Sequence, residues 1–533
     1  MINSSETSEI NKYKHMNRKS DHKKAAVVSY INLAIVTVFS LIITPLMIGK
    51  WGDSEQGLYT NIGAFANSLA LMEFGFAATI TRYTAKYTSL GDKKGRENFL
   101  AMGLLSYVAI AVLVVIAGCV MALNITSLTK LEPYQVQAAK TMMFVMTFNV
   151  ATFLVTHVFI GALNGTKRFF VVKIVNTTGL LTRHILTIFL ITRGFWSVGV
   201  TVSTFAVTIG LLVLNILVFK AAGLKVKLHG FDKRLFKEVM SFSGYNFLHV
   251  LMVTMYWKLD EIMIGAMRGT VQVSIFSVGM RITDMAQQLS VMFTQFVLPG
   301  LTDLEVRKAE NKEFTRAIIP AGRICMIVLV FLTITLTAFG QQFILFWSGK
   351  EHYAPAYAVL MILIYSAIVP WIMTPFSEIL KAKNRLRTIT FIKLGVAALK
   401  IALTVLFVHL WGIAGAAIAT AIGLVVGDIF LTNIYMHKKV GINVFAYFSR
   451  VFSGMVLPIV VSIVTAVILR FTVPERFDVP KWLALIFGEA RFGLFLSLGV
   501  RAGILAIVFA ICVYLFGLTY VEKNRMRRMF RKR

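Results

Sequence analysis

Cysteine, acidic residues and charge in general are scarce in this sequence. Its 533 residues include three cysteines, and 25 Asp and Glu stand against 55 Lys and Arg. Cys119, Cys325 and Cys512 lie in apolar stretches without CxxC or histidine spacing, so we expect neither a disulfide nor a metal site. No GxGxxG, Walker loop, HExxH or Ser-His-Asp arrangement occurs in a suitable context, and no ATP-binding domain is present. We therefore expect no cofactor, and work must come from an ion gradient (H⁺ or Na⁺) or from the substrate's own gradient.

Apolar residues are abundant. They make up 57% of the chain, charged residues only 15%, and the mean hydropathy is +0.74. So much apolar surface exceeds what a globular core of this length could bury, which predicts an all-α polytopic membrane protein. The net charge of +30 lies in short loops between apolar stretches. Such a distribution indicates membrane topology and not nucleic-acid binding.

Hydropathy predicts about fourteen transmembrane helices. The first 24 residues are polar and basic and contain no cleavable signal sequence, so none is expected to be removed. The predicted spans are 25–48, 57–87, 98–123, 138–163, 170–192, 196–220, 239–266, 270–300, 318–346, 355–380, 387–409, 411–436, 450–471 and 498–519.

Basic residues orient these spans. One set of alternate loops holds roughly 35 Lys and Arg and the opposite set roughly 8, which predicts that both termini are cytoplasmic. Trp51, Trp196, Trp347 and Trp411 fall at the predicted external ends, where an indole ring is stable at headgroup depth. The external loops are short apart from Arg470 to Phe495. This shortage of external surface disfavours a membrane glycosyltransferase or polymerase, so we do not expect an enzyme.

An internal repeat organises the chain. Six matches share an offset of 216 positions, the separation of Gly49 from Gly265, and recur across several spans. They are Met47-Ile48-Gly49 with Met263-Ile264-Gly265, Gln56 with Gln272, Gly63 with Gly279, Gly179 with Gly395, Gly199 with Gly415 and Thr204 with Thr420. With an even number of spans per repeat, the halves keep one orientation, which predicts two lobes related by an axis along the membrane normal.

The repeat and the hydropathy together predict six segments. These are a cytoplasmic basic N-terminus (1–24), an N-lobe of six spans (25–220), a cytoplasmic linker (221–238), a C-lobe of six spans (239–437), two further spans (438–519) with an external loop (471–497), and a cytoplasmic basic tail (520–533).

The hairpin from Ser243 to Gly300 places charge inside two apolar spans. Lys258 and Arg281 each fall about three turns from the external turn at Arg268, so they can share one depth. Charges in hydrocarbon must face a partner or water, which makes each a functional candidate. The charged residues of the hairpin interior are Lys258, Asp260, Glu261, Arg281 and Asp284.

Four runs resemble a known superfamily. They are MEFGFAATITRYTAKYTSLGDKKG (Met72 to Gly95), LDEIMIGAMRGTVQVSIFSVGMRI (Leu259 to Ile282), SEILKAKNR (Ser377 to Arg385) and WGIAGAAIATAIG (Trp411 to Gly423). Over about residues 25 to 440 the chain is similar to the multidrug/oligosaccharidyl-lipid/polysaccharide exporters. Within them it most resembles the flippases for undecaprenyl-pyrophosphate-linked O-antigen or capsule repeat units. The resemblance implies two six-helix lobes around a central cavity and alternating access.

A lipid pyrophosphate needs cations near the membrane midplane. Arg183 lies in the middle of span five and has no acidic neighbour in that span. Lys400 lies one residue beyond the repeat equivalent of Arg183, so the two are expected to face each other across the pseudo-axis. We add Arg281, Lys258 and Arg82 as candidate substrate-binding cations.

Each cation has a structural alternative. Arg82, Lys173, Arg323 and Lys393 lie near cytoplasmic ends, where long side chains reach the interface. Lys258 and Arg281 have acidic residues three positions away, Glu261 and Asp284, and could form ion pairs instead.

Embedded carboxylates are candidates for ion coupling, because burial raises and a nearby cation lowers the pKa of a carboxyl group. We select Asp260, Glu73 and Asp284, with Asp260 first because the resembling families often have Asp at this place in span seven. The alternative for Asp260 is a structural partner of Arg281. Glu378 and Asp428 are also embedded. Four histidines in or at the ends of spans could titrate, but a lone histidine on an apolar helix is more often a packed polar residue; they are His157, His184, His249 and His409.

The expected function is that of an inner-membrane flippase for a lipid-linked oligosaccharide in lipopolysaccharide, O-antigen or capsule biosynthesis. The family implies a polymerase and a chain-length regulator as partners, together with membrane lipids and no nucleic acid. The alternatives are a peptidoglycan-precursor exporter and an ion-coupled multidrug antiporter of the same superfamily. An excess of embedded Arg and Lys disfavours an exporter of organic cations.

Overall fold

A computed structural model describes residues 28, 31–32, 34–73, 76–230, 233, 251–252, 254–294, 297–383, 385–475, 477, 489–520 and 522–524. Every regular element in these residues is helical, which confirms the all-α fold class. Hydrocarbon offers the backbone no hydrogen-bond partners, and a helix satisfies its own.

The chain divides into two compact units, Met1–Ser274 and Ile275–Arg533. The helices of the first unit are α1 (Ala34–Trp51), α2 (Asp53–Leu69), α3 (Phe76–Ser89), α4 (Lys93–Leu123), α5 (Val136–Gly165), α6 (Phe169–Thr192), α7 (Ser197–Ala221) and α8 (Leu259–Arg268). The next helix, α9 (Thr270–Thr294), begins in this unit. The unit extends past the predicted linker 221–238 because α8 and the start of α9 pack on α2. The predicted lobe limits themselves stay a prediction.

The second unit continues from α9. Its helices are α10 (Leu298–Val306), α11 (Asn311–Ser348), α12 (Pro355–Ile372), α13 (Thr374–Ala382), α14 (Leu386–Gly423), α15 (Val444–Val451), α16 (Val456–Thr472) and α17 (Glu489–Cys512). Between α14 and α15 the chain runs through the π-helical stretches Leu424–Leu431 and Met436–Val440.

In the described residues, nine helices are long and apolar enough to span a membrane, or ten if the bent pair α15 and α16 is one span. Spans eleven and twelve appear in that count as one stretch, Arg387–Val440, broken at Gly412, whose φ of 60° and ψ of −136° are non-helical. Span two is broken after α2 and does not appear in the count. Helix α9, which carries Arg281 and Asp284, is not counted either. Part of span seven lies outside the described residues. The number fourteen therefore stays a prediction.

Helix α4 shows how the sequence assigns one face to lipid and another to the protein. The exposed apolar side chains recur every three or four residues, at Leu105, Val108, Val112, Ile116 and Val120. The buried positions have the same spacing on another face of the helix, at Gly103, Tyr107, Ile110, Val114 and Gly118. The exposed and the buried side chains thus lie on different faces of α4, as the 3.6-residue period of a helix requires.

Helix α5 lies at the centre of the first unit, where α2, α3, α4, α6 and α7 all pack against it. Gly118 of α4 sits directly against Thr147 of α5, and a Cβ at Gly118 would lie 2.1 Å from the Thr147 hydroxyl. This close approach holds α4 beside α5. Polar side chains placed at the middle of both helices can therefore meet.

Helix α11 has the same central place in the second unit, where α12, α15, α16 and α17 pack on it. Arg323 of α11, which was expected to reach the interface, is instead only 3% exposed. Its guanidinium donates to the carbonyls of Arg450, Ser453 and Gly517, and its Nε lies 2.9 Å from Glu522 Oε1. The interface interpretation of Arg323 is wrong, because the C-terminal segment covers the residue.

A second buried arginine fixes the other end of these helices. Arg501 of α17 is fully buried, donates to Gln342 Oε1 of α11 at 2.7 Å and to the Val473 carbonyl. Gln342 in turn donates to Glu475 at 3.0 Å. The two helices beyond the repeat are therefore anchored to α11 at both ends.

Candidate functional site

A polar cluster joins α2 to the residues 259–274, which open the second repeat. Ser54 Oγ lies 3.1 Å from Thr270 Oγ1. Gln135 Nε2 donates to both the carbonyl and the hydroxyl of Ser54, at 3.1 and 3.0 Å. Gln56 accepts a hydrogen bond from Ser274. The cluster lies at the N-terminal end of α2.

Ser54 and Thr270 are separated by 216 positions, the offset of the sequence repeat. They are therefore equivalent residues of the two repeats. The repeat axis itself stays a prediction.

Glycine permits the backbones to approach closely at this cluster. A Cβ at Gly57 would lie 1.8 Å from the carbonyl oxygen of Thr270, a backbone atom that cannot rotate away. One turn further along α2, Asn61 donates to the Glu261 carbonyl at 2.8 Å. Lys130, from the loop before α5, donates to the carbonyls of Gly265 and Met267. The contact is thus built from backbone atoms as well as hydroxyl and amide groups.

The Ser54 and Thr270 hydroxyls are close enough to test by disulfide cross-linking. The variant Ser54→Cys with Thr270→Cys, in a background with Cys119, Cys325 and Cys512 replaced by Ala, should oxidise readily because the side chains already meet. If transport requires α2 and residues 259–274 to separate, cross-linking should stop it and reduction should restore it. Mass spectrometry of the linked peptides and a transport assay are the measurements.

The matched control is Ser68→Cys with Thr270→Cys. Ser68 is on the same helix but about 21 Å further along it, out of bridging range. Equal cross-linking of the two pairs, or unchanged transport by the linked Ser54–Thr270 pair, would contradict the assignment.

A second polar cluster lies at the break in span two. Glu73 is the last residue of the short 3-10 segment Ala70–Glu73 that follows α2. His157 Nδ1 of α5 lies 2.7 Å from Glu73 Oε1, and the Tyr107 hydroxyl of α4 donates to the same oxygen at 3.2 Å. The cluster therefore ties the break to the two central helices of the unit.

The environments of the three residues differ. Tyr107 is fully buried, whereas the side chains of Glu73 and His157 are 24% and 17% exposed. The His157 ring also packs on Phe153, with the centroids 4.3 Å apart. The buried phenol of Tyr107 and the partly accessible imidazole of His157 thus share one carboxylate oxygen of Glu73.

The predicted substrate cations have unequal exposure. Arg183 on α6 and Arg82 on α3 are exposed. Beside Arg183, the ring of His184 stacks on Phe39 of α1, with the centroids 5.0 Å apart. Lys258 lies in a turn that interrupts span seven just before α8 begins.

The remaining two cations, which belong to the second unit, are less accessible. Lys400 of α14 is 1% exposed, so no large ligand reaches it in this conformation. Arg281 of α9 is half-buried, and its Nε has no hydrogen-bond partner among the described residues. A buried guanidinium nitrogen without a partner costs free energy, which is common at functional sites.

The embedded carboxylates also differ. Asp260, in the first turn of α8, is 2% exposed, whereas Asp284 is half-buried. Glu378 pairs with Lys381 at 2.6 Å, and Lys393 pairs with Asp428. The ammonium group of Lys393 is thus held by a carboxylate on the π-helical stretch, and its position at the interface stays a prediction. Within the described ranges, no group of three His, Cys, Asp or Glu could hold a metal ion.

Sequence reasoning selected Glu73 but missed its partners Tyr107 and His157. Their separations along the chain, 34 and 84 residues, leave no local pattern that pairs them. A histidine placed mid-span was the available signal, and its usual interpretation is a packed polar residue.

Comparison with solved structures identifies the fold. The chain is similar to "Lipid II flippase MurJ, inward closed conformation", with a TM-score of 0.69, 14% identity and coverage of 92% of this chain and 98% of that chain. It is similar to an inward-facing multidrug resistance MATE family transporter of the MOP superfamily, with a TM-score of 0.62, 15% identity and coverage of 76% and 96%. A MOP superfamily transporter from Pyrococcus furiosus, whose reversed binding-pocket polarity suggests a different function, gives a TM-score of 0.54, 14% identity and coverage of 81% and 96%.

At these identities the likeness shows the fold alone, which is that of MOP-superfamily transporters. No curated protein matches the sequence. The family described as "Polysaccharide biosynthesis protein" matches residues 23–305, more than half of the chain. Because the match includes α1 to α9 and the two polar clusters, the chain belongs to the polysaccharide biosynthesis protein family.

Proposed function

We propose that this chain is a flippase that moves a polyprenyl-pyrophosphate-linked oligosaccharide repeat unit across the inner membrane by alternating access. The observation that carries the proposal is membership of a polysaccharide biosynthesis family in a chain with a transporter fold. A polysaccharide pathway that assembles its units on a membrane lipid needs a transporter of such units. The glycan would be a repeat unit of a capsule or of the O-antigen of lipopolysaccharide.

The chemistry of the substrate supports the choice of residues. A pyrophosphate carries negative charge out of water, and arginine can meet it with paired hydrogen bonds. Arg183 and Arg82 are exposed in this conformation and could do so directly. Arg281 and Lys258 are further candidates. Lys400 is buried, so its contribution depends on a conformational change.

The same proposal assigns ion coupling to Asp260, Glu73 and Asp284. Asp260 is buried in the first turn of α8, beside the contact between α2 and residues 259–274. A carboxylate there can respond when that contact opens, because its access to water changes. Coupling by either H⁺ or Na⁺ is compatible with a carboxylate.

The proposal includes location and partners. The basic residues of alternate loops support cytoplasmic termini, and the proposed substrate implies the inner membrane. A polymerase that extends the flipped unit and a chain-length regulator are the proposed protein partners. Two other functions, export of a peptidoglycan precursor and antiport of small molecules, are outcomes of the test below.

The test is flipping of a fluorescent pyrophosphate-linked oligosaccharide in proteoliposomes. The wild-type chain should move it. Arg183→Ala should reduce the rate roughly 10- to 100-fold, because a hydrogen bond to a charged group is worth about 1.5–3 kcal/mol. Lys400→Met should also reduce it if alternation exposes Lys400 to the substrate.

Arg193→Ala is the matched control, since Arg193 follows the last residue of α6 and is exposed, with its guanidinium over Phe189. It should flip normally. If the wild-type chain moves lipid II or an organic cation but no pyrophosphate-linked oligosaccharide, the proposed substrate is wrong. If Arg183→Ala flips like Arg193→Ala, the substrate proposal stands and the site assignment is wrong.

A further inference from the structure

We propose that Glu73, Tyr107 and His157 form a proton-binding site that controls the 3-10 segment Ala70–Glu73 and, through α2, the contact with residues 259–274. The inference rests on the proposed transport function and names its coupling ion. It assigns roles to two residues, Tyr107 and His157, that the sequence did not select.

The hydrogen-bond geometry favours a proton over a metal ion. When Glu73 is ionised it can only accept, so the Tyr107 hydroxyl and a protonated His157 Nδ1 both donate to Oε1; when Glu73 carries the proton, an unprotonated His157 Nδ1 can accept it. A nitrogen that carries this proton has no lone pair with which to ligate a cation. The cluster is therefore arranged for proton exchange between an imidazole and a carboxylate.

Access is restricted to the titrating pair. Tyr107 is fully buried and fixed in the core, whereas Glu73 and His157 each keep part of their side-chain surface exposed. Protons can thus enter and leave while the phenol stays in place. A purely structural polar cluster has no need of that exposure.

Among the other charges on the neighbouring helices, those of α4 and α5 are distant along their helices and Glu55 is engaged elsewhere. Glu55, at the far end of α2, bonds to Ser197. Lys140 of α5 lies about 25 Å from His157 by the rise of the helix, and the charged residues of α4 lie about 15 Å or more from Tyr107. The groups on the packed elements are Asp53 and Glu55 (α2), Arg82 and Lys86 (α3), Lys93, Lys94, Arg96 and Glu97 (α4), Lys140 (α5), Lys173, Arg183 and His184 (α6) and Lys220 (α7).

The site lies at a hinge. Helix α2 ends at Leu69, Glu73 ends the 3-10 segment, and α3 begins at Phe76. When Glu73 takes up a proton from solution, the carboxylate becomes a neutral carboxylic acid. The charge-assisted hydrogen bonds from Tyr107 and His157 then weaken, so the 3-10 segment is held less firmly against α4 and α5. Hinges of this kind are formed by a few residues at the ends of elements.

Helix α2 carries the change to its other end. Ser54, Gly57 and Asn61 of α2 make the contacts with residues 259–274. In the deprotonated form, the hinge is held as in this structure and the contact is closed. Protonation should therefore favour its opening.

The experiment measures the rate of Ser54→Cys/Thr270→Cys cross-linking between about pH 5 and pH 8. The thiolate fraction rises with pH, so each rate is divided by the cross-linking rate of a pair of exposed cysteines at the same pH. Cross-linking should be about fivefold faster at the high end, a typical coupling between two sites. Glu73→Gln mimics the protonated acid and should be slow at both ends. His157→Gln should also lose the pH dependence, and it provides a second variant if Glu73→Gln does not fold.

The matched control is Glu97→Gln, which breaks a carboxylate–histidine pair with His229, 3.4 Å apart, in the loop region of the same unit. It should keep the wild-type pH dependence. If cross-linking in the wild-type chain does not depend on pH, or if Glu73→Gln and Glu97→Gln behave alike, the proton site is wrong.

A flipping assay separates this inference from the proposed function. A chain that flips pyrophosphate-linked oligosaccharide at a rate independent of the pH gradient keeps the proposed function and overturns the proton site. A chain whose cross-linking responds to pH only when Glu73 and His157 are intact, yet which flips no oligosaccharide, supports the proton site and overturns the proposed substrate.

Discussion

Replacing Gly57 with alanine should stop transport, although the change adds a single methyl group. The new Cβ would lie 1.8 Å from the carbonyl oxygen of Thr270 and 3.2 Å from the backbone nitrogen of Ser274. Backbone atoms cannot give way by changing rotamer, so α2 and residues 259–274 must move apart. The hydrogen bonds of Ser54 and Asn61 across the contact would be lost with that movement. Overpacking of this kind costs about 1–3 kcal/mol, enough to depopulate the closed state roughly 5- to 100-fold.

Gly63→Ala is the matched control for Gly57→Ala. Gly63 lies six residues further along α2, and a Cβ there would have nothing within 4 Å. Alanine is the better helix former, so this variant should transport normally and be slightly more stable. Flipping rates in proteoliposomes and apparent melting temperatures check both variants. Normal flipping by Gly57→Ala would mean that the closed contact is not required in the transport cycle.

Replacing Arg323 with methionine should destabilise the packing of the C-terminal helices. Arg323 is 3% exposed, pairs with Glu522 and donates to three carbonyls, of Arg450, Ser453 and Gly517. Methionine fills much of the volume but leaves those acceptors without a donor. Leaving buried acceptors without a donor costs about 1–3 kcal/mol, and Glu522, whose side chain is 30% exposed, remains partly solvated after the change. We expect a lower apparent melting temperature and faster proteolysis after α17.

Arg316→Met is the control for Arg323→Met, because Arg316 lies two turns earlier on α11 and is exposed. It should change stability by less than about 0.5 kcal/mol. The double variant Arg323→Met with Glu522→Gln measures the pair itself. If the effects of the two single changes on the free energy of unfolding are additive, Glu522 is not the partner on which the stability depends.

These predictions concern different parts of the protein. Gly57 acts at the contact that transport is proposed to open and close, whereas Arg323 acts on the attachment of two helices that lie outside the repeat. A variant at Gly57 should therefore lose activity while it remains folded. A variant at Arg323 should lose stability first, with activity falling as the C-terminal helices detach.

The fold class could be predicted from the sequence because membrane insertion imposes a strong local constraint. A segment that crosses hydrocarbon must be apolar and helical, so hydropathy alone finds it. The repeat offset of 216 was also visible in the sequence, and the Ser54–Thr270 hydrogen bond joins residues at that same offset. Where a span is broken at Glu73 and at Lys258, hydropathy gave no warning because the residues on both sides remain apolar. The kink at Gly412, in contrast, lies beside the predicted division between spans eleven and twelve.

The candidate site was predictable only in part. Charged residues in apolar spans, such as Arg183 and Asp260, are visible from composition because water-loving groups are rare there. Their accessibility is not visible, and so Lys400 was selected although it is 1% exposed. Likewise, Arg323 and Lys393 were expected at the interface, and the sequence did not show that a carboxylate from elsewhere in the chain holds each of them.

The sequence by itself determined that this protein is helical and rich in apolar spans, and it predicted two repeats and charged residues within the spans. These properties depend on local composition and on periodicity, which each stretch carries independently of its neighbours. Only the tertiary structure decided that Glu73 meets Tyr107 and His157, that Gly57 lies against Thr270, and that Arg323 is covered by Glu522. The physical reason is that such pairs join residues 34 to 213 positions apart, and helix packing, which sums many weak contacts over the whole chain, brings them together.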